Sequence, residues 1–83
     1  MIHVSFTFKG KKYETTRNEY DRNYEDEGYA LIFIEGKNGQ LFEVNVLKND
    51  NGELIEDGYV SVYEDMDDIM PTEYVENIEV SFK

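Results

Sequence analysis

The sequence predicts a mainly β domain: six short antiparallel strands in a meander rolled into a partial barrel or small sandwich. Three observations carry that expectation. Apolar and polar residues alternate over residues 2–9 and again over residues 77–83, the period of a half-buried strand. A run apolar on both faces, "YALIFIE", stands at residues 29–35, as a central strand requires. Most of the glycines fall in turn signals, "KGKK", "GKNG" and "NDNGE", and none in a phosphate-cradling motif. The class is all-β, or α+β if residues 17–27 form a short helix.

The first strand places Ile2, Val4, Phe6 and Phe8 on one face and His3, Ser5, Thr7 and Lys9 on the other. A two-residue turn at Gly10-Lys11 then sets Phe8 opposite Tyr13 and Phe6 opposite Thr15. Residues 16–28, "TRNEYDRNYEDEG", have two readings. Thr16 with Glu19 fits a capping box, Tyr20 and Tyr24 are one helical turn apart, and Gly28 fits a helix end. Yet Asn, Asp and Tyr are mediocre helix formers, and an acidic loop prolonging the second strand is the other outcome. Asn38-Gly39 predicts a hairpin between the central strand and "QLFEVNVLK". Its expected registers group Tyr29, Leu31 and Phe33 with Phe42, Val44 and Val46, leaving Ile32, Ile34 and Leu41 on the opposite face.

The next strand, "LIEDGYVSVY", follows a turn at "NDNGE" and has an open register. A tight turn at Asn51-Gly52 brings Tyr59 and Ser61 to the face of Val44 and Phe42, whereas a bulge at Asp57-Gly58 brings Val60 and Val62. The acidic stretch after it reads as a single helical turn before Pro71. The last strand turns Ile78, Val80 and Phe82 inward and Glu79, Ser81 and Lys83 outward.

Eighty-three residues make one domain, residues 1–83, that buries about 60–65% of its unfolded surface. The chain has no cysteine and one histidine, so disulfides, thiolate metal sites and an intrachain multi-histidine zinc site are excluded. Five Phe and seven Tyr supply much of the burial. The N-terminal "MIHVSFTFKGKK" puts alternating apolar residues before its bases, the reverse of a secretory signal. No apolar stretch approaches the length that spans a bilayer. A cytoplasmic location, in the chain's own cell or a host cell, is therefore expected.

The formal net charge is −11, and residues 53–83 hold ten of the nineteen acids against one base, Lys83. Such a charge opposes contact with nucleic acid or anionic membrane. The cluster Lys9, Lys11, Lys12 and Arg17 adjoins Phe6 and Phe8, but those rings share the apolar strand face and read as core rather than stacking platforms. Catalysis has little to draw on, because His3 sits beside Ser5 on a polar face with no third group in view. No catalytic residue, cofactor or metal site is expected. Calcium would need the loop pattern D-x-[DN]-x-[DN]-G-x5-E. Aligning its glycine with Gly52 puts Leu47 and Gly58 at ligand positions, so the pattern is absent.

What remains is tyrosine interleaved with acid. "VYEDMDD" places Glu64, Asp65, Asp67 and Asp68 within five positions, and Tyr63, Tyr74, Tyr20 and Tyr24 stand in acidic surroundings. Tyrosine is enriched at protein–protein hot spots, and carboxylates around it suit a basic partner. Equally, tyrosine is a good strand residue and acids are ordinary on a solvated face. The function expected is a non-catalytic protein-binding module, an acidic inhibitor occupying a basic site on another protein. In its sharp form it mimics nucleic acid, as phage proteins directed at host defence enzymes do, and its partner handles nucleic acid. The alternative is a small structural or assembly domain, one that can pack against its own copies as a homo-oligomer, whose acidity serves solubility.

Overall fold

A computed structural model describes residues 1–48 and 54–82; the side chains of Glu25, Lys48, residues 54–57 and Phe82 are outside that description. The turn expected at "NDNGE" lies outside the described residues, as does Lys83. Eight strands form among the described residues: β1 (Ile2–Phe8), β2 (Lys11–Arg17), β3 (Arg22–Tyr24), β4 (Tyr29–Glu35), β5 (Leu41–Lys48), β6 (Leu54–Tyr63), β7 (Glu73–Val75) and β8 (Ile78–Phe82). They include the six expected strands and two of three residues each. All pairings are antiparallel, in a three-stranded sheet ordered β2-β1-β8 and a five-stranded sheet ordered β3-β4-β5-β6-β7.

The β1–β2 turn is Lys9-Gly10, not Gly10-Lys11. Both residues have positive φ, 50° and 79°, the conformation that follows strand twist and that glycine adopts freely. Phe6 consequently pairs with Tyr13 and Phe8 with Lys11. This register stacks the Phe6 and Tyr13 rings at 5.5 Å. The slip is two residues, so the expected faces are kept.

No helix forms over residues 17–27. β2 runs to Arg17, β3 occupies Arg22–Tyr24, and Glu25–Glu27 is a single 3-10 turn closed by Gly28 N–H donating to Tyr24 O at 3.1 Å. Bonds to the edge of β4 hold this segment extended. Arg17 Nη2 donates to Phe33 O at 3.0 Å, Phe33 N–H donates to Asp21 Oδ2 at 2.8 Å, and Asp21 N–H donates to Leu31 O at 3.0 Å. These satisfy backbone groups of a sheet edge, which outweighs a capping box on a weak helix former.

The β4–β5 connection changes which face is inside. It spans five residues, 36–40, with Asn38 and Gly39 at φ 57° and 82°, where the expected registers imply a loop of two or four, so the pairing is offset by one residue. Ile34 therefore pairs with Phe42, Ile32 with Val44 and Ala30 with Val46. A one-residue offset exchanges the faces of a strand. Ala30 and Ile32 are buried, Ile34 packs on the core, and Tyr29, Leu31 and Phe33 move to the outer side.

The β6 strand takes the bulged register. Val60 pairs with Val44 and Val62 with Phe42, and the pairing shifts between Val46 and Lys48. Gly58 permits this: a Cβ there would lie 1.9 Å from Asn45 O and 3.2 Å from Ile78 Cδ1. The core between the sheets comprises Ile2, Val4, Phe6, Phe8, Ile32, Phe42, Val44, Val46, Val60, Val62 and Val80, with Ile78 and Val75 packed against it. Phe42 is fully buried, its ring 5.2 Å from Phe6, 5.4 Å from Phe8 and 4.6 Å from Tyr13.

Candidate protein-binding surface

The acidic stretch is a loop joining β6 to β7. Its helical turn does not form; a hydrogen-bonded β-turn does. Asp68 N–H donates to Asp65 O at 3.0 Å, Asp67 N–H to Asp65 Oδ1 at 2.9 Å, and Asp65 N–H to Asp68 Oδ2 at 3.2 Å. Short acidic side chains compete in this way for the amides a helix would use. The loop is closed by Thr72, whose N–H and Oγ1 both donate to Val62 O, at 2.8 and 3.2 Å. Glu64, Asp65, Asp67 and Asp68 are all exposed. Between and after them stand large apolar side chains in water: Ile69 is 92% exposed, Met70 73% and Met66 46%.

Tyr63 and Tyr74 flank this loop on the outer face of the five-stranded sheet. Tyr74 opposes Ser61, and Tyr63 opposes Leu41. Tyr59 lies on the same face, its ring 6.1 Å from that of Tyr74. Beneath the tyrosines Asn45 and Ser61 are buried, Asn45 Nδ2 donating to Ser61 Oγ at 3.4 Å and to Glu43 O at 3.1 Å. Glu43 opposes Ser61 on one side and Phe33 on the other. Partial burial raises the Glu43 carboxyl above the usual range, and nearby Arg22 pulls it back. Burial also raises the Tyr63 phenol, with Glu43 and the neighbouring tyrosines adding to the shift.

Tyr24 and Tyr20 are placed elsewhere. Tyr24 is on β3, at the opposite edge of the five-stranded sheet from β7, about 19 Å away at ordinary strand spacing. Its ring packs on Tyr29 at 4.9 Å. Tyr20 packs against the core, its hydroxyl buried and without a partner among the described residues; burial raises its phenol. Thus Glu64, Asp65, Asp67, Asp68, Tyr63 and Tyr74 share one hairpin, and Tyr20 and Tyr24 do not belong to it. Met66, Ile69 and Met70 were not among the expected site residues: their i, i+3, i+4 spacing reads as one helical face, and only the loop conformation leaves them in water. Tyr59 and Glu43 required the register.

Of the basic cluster Lys9 approaches this region from the other sheet, its Nζ lying 3.9 Å from Glu73 Oε2. Both groups are largely exposed, and such a pair contributes about 0–1 kcal/mol. His3 faces Glu14 at 3.6 Å on the outer side of the three-stranded sheet. Among the described residues no group of three His, Asp or Glu side chains converges as a metal cage requires. Nor, among them, is any helix long and apolar enough to cross a membrane.

Compared with known protein families, curated proteins and solved structures, the chain finds no match in any of the three.

Proposed function

We propose that this is a non-catalytic protein-binding module whose β6–β7 loop occupies a basic site on another protein. The observation that carries the reading is the mixed character of the loop: exposed Ile69, Met70 and Met66 set among four exposed carboxylates. A merely solvated turn has no use for apolar side chains in water, whereas an interface uses them as anchors within a charged surround. The carboxylates steer a basic partner, and the apolar tip contributes attraction that salt does not screen. An inhibitor that blocks a nucleic-acid-binding surface is the sharpest form of this proposal. There the carboxylates take the place of phosphates, and the apolar tip adds contacts that a nucleic-acid backbone lacks.

Salt titration of a captured partner tests it. Affinity falls with ionic strength, then levels at a residual set by the apolar contacts. Affinity indifferent to salt would leave the carboxylates without a role.

A second reading, assembly of the domain with copies of itself, was suggested by an apolar face of Ile32, Ile34 and Leu41. Ile32 and Ile34 instead belong to the core. What favours assembly now is the half-buried set Phe33, Leu41 and Leu47 on the outer sheet face. Sedimentation at high salt separates the two readings, because this face predicts dimers that persist as charge is screened.

A further inference from the structure

Next to the loop, the same hairpin forms one wall of a shallow groove on the outer sheet face. Leu47 of β5, Gly58 and Tyr59 of β6, Tyr74 of β7 and Glu76 just beyond it line an open concavity of about 550 Å³. Three features define its chemistry. Gly58 lines it with backbone atoms alone. Tyr59 and Tyr74 stand edge to face at 62° with centroids 6.1 Å apart, and they are 36% and 59% exposed. Leu47 gives an apolar wall and Glu76 a carboxylate, and among the described residues none that lines it is basic.

An anion would meet Glu76 and the net charge of −11. A neutral apolar side chain would suit Leu47 and the rings but bring nothing to the carboxylate. A side chain with an alkyl stem and a cationic head fits every part. Its stem lies along Leu47, its head is attracted by the negative ring faces, and Glu76 neutralises its charge. A planar guanidinium also stacks on tyrosine while donating to a carboxylate, which ammonium does less well.

We propose that the groove receives a cationic side chain, arginine in preference to lysine, from the basic protein partner of the adjoining loop. The inference deepens the proposed function and rests on it for the partner, while the groove's chemistry can be tested without one. The probe is the tripeptide acetyl-Gly-Arg-Gly-amide, compared with the same peptide carrying citrulline, which keeps the shape of arginine and removes its charge. Binding to the full chain is followed by amide chemical shifts in NMR. One side chain holds a short peptide with a Kd of about 1–10 mM.

The arginine peptide is expected to shift Leu47, Gly58, Tyr59, Tyr74 and Glu76 saturably, and the citrulline peptide to bind at least several-fold more weakly. Tyr74→Ala and Glu76→Gln, both at exposed positions, each weaken arginine binding about threefold or more. Equal binding of citrulline, no saturable shift in the groove, or shifts confined to residues 64–68 would overturn the proposal. So would undiminished binding by folded Tyr74→Ala. Failure here is distinguishable from failure of the loop reading. Asn at Asp65, Asp67 and Asp68 should abolish partner capture yet leave peptide binding to the groove, and a silent groove leaves loop-dependent capture standing.

Discussion

Gly58→Ala gives the fold its sharpest test, because two effects oppose each other in sign. Replacing glycine by alanine at a compatible strand position stabilises by about 0.4–1 kcal/mol, through the entropy of the unfolded chain. The structure predicts the reverse. The new Cβ would lie 1.9 Å from Asn45 O and 3.0 Å from Asn45 C. Both are backbone atoms of the paired strand, and no side-chain rotation relieves the clash. β5 and β6 must separate by more than an ångström at Val46 and Gly58, or β6 must rotate and press on Ile78. Overpacking of this kind costs about 1–3 kcal/mol, and losing about two ladder hydrogen bonds adds about 1 kcal/mol each. A net loss of about 3 kcal/mol is expected, a large share of the roughly 4–12 kcal/mol available to a chain of 83 residues. Urea unfolding followed by tyrosine fluorescence measures it. With a slope of about 1 kcal/mol/M for so small a domain, the midpoint should fall by about 3 M, or folding should fail outright. An unchanged or higher midpoint would refute the β5–β6 register and the bulge that depends on it.

Three further predictions follow from the same geometry. Ile32→Asn should cost about 4–6 kcal/mol, from the lost core side chain and the buried amide together, whereas Phe33→Asn should cost less than half as much; the reverse order in denaturant titrations would restore the register in which Phe33 faces the core. Glu43→Gln should raise the melting temperature at pH 7, because burial raises the folded-state pKa of this carboxyl and makes its ionised form a liability. Stability assignable to Glu43 falls as pH rises from the unfolded pKa through the folded one, so the gain from glutamine must vanish at pH 3, and a gain equal at both pH values would exclude this cause. Asp65, Asp67 and Asp68 changed together to Asn should leave the far-UV circular dichroism unchanged and shift the melting temperature by no more than a few degrees, since the asparagine oxygen still accepts the bonds now accepted by Asp65 and Asp68; a cooperative collapse would assign the carboxylates a structural role.

The strands with period two were legible in the sequence because alternation states both element and face, as in Ile2, Val4, Phe6 and Phe8. The β4 strand was not so legible. "YALIFIE" offers apolar residues at both parities, so the length of the loop after it decides which set is buried, and that length is not written in Asn38-Gly39 alone. Residues 17–27 misled for a different reason. The capping-box pattern is local, while Arg17 and Asp21 bond to the edge of β4, which is distant in sequence. The acidic loop could be found from composition, but its apolar tip became informative only once Ile69 proved to have no core to enter. Tyr20 shows the limit of composition as a guide to surface: its neighbours are acidic, and its ring still packs inward.

The central claim, that the β6–β7 loop is a docking surface using both charge and apolar contact, is tested most directly by side-by-side capture. Wild type, the triple Asn variant of Asp65, Asp67 and Asp68, and an Ile69→Ser/Met70→Ser variant are immobilised, exposed to one bacterial lysate, and washed at low and then high salt. The account predicts one basic protein retained by wild type, weakened by salt, and lost from both folded variants. Retention of that protein by both variants, or recovery of the domain's own copies alone, would contradict it.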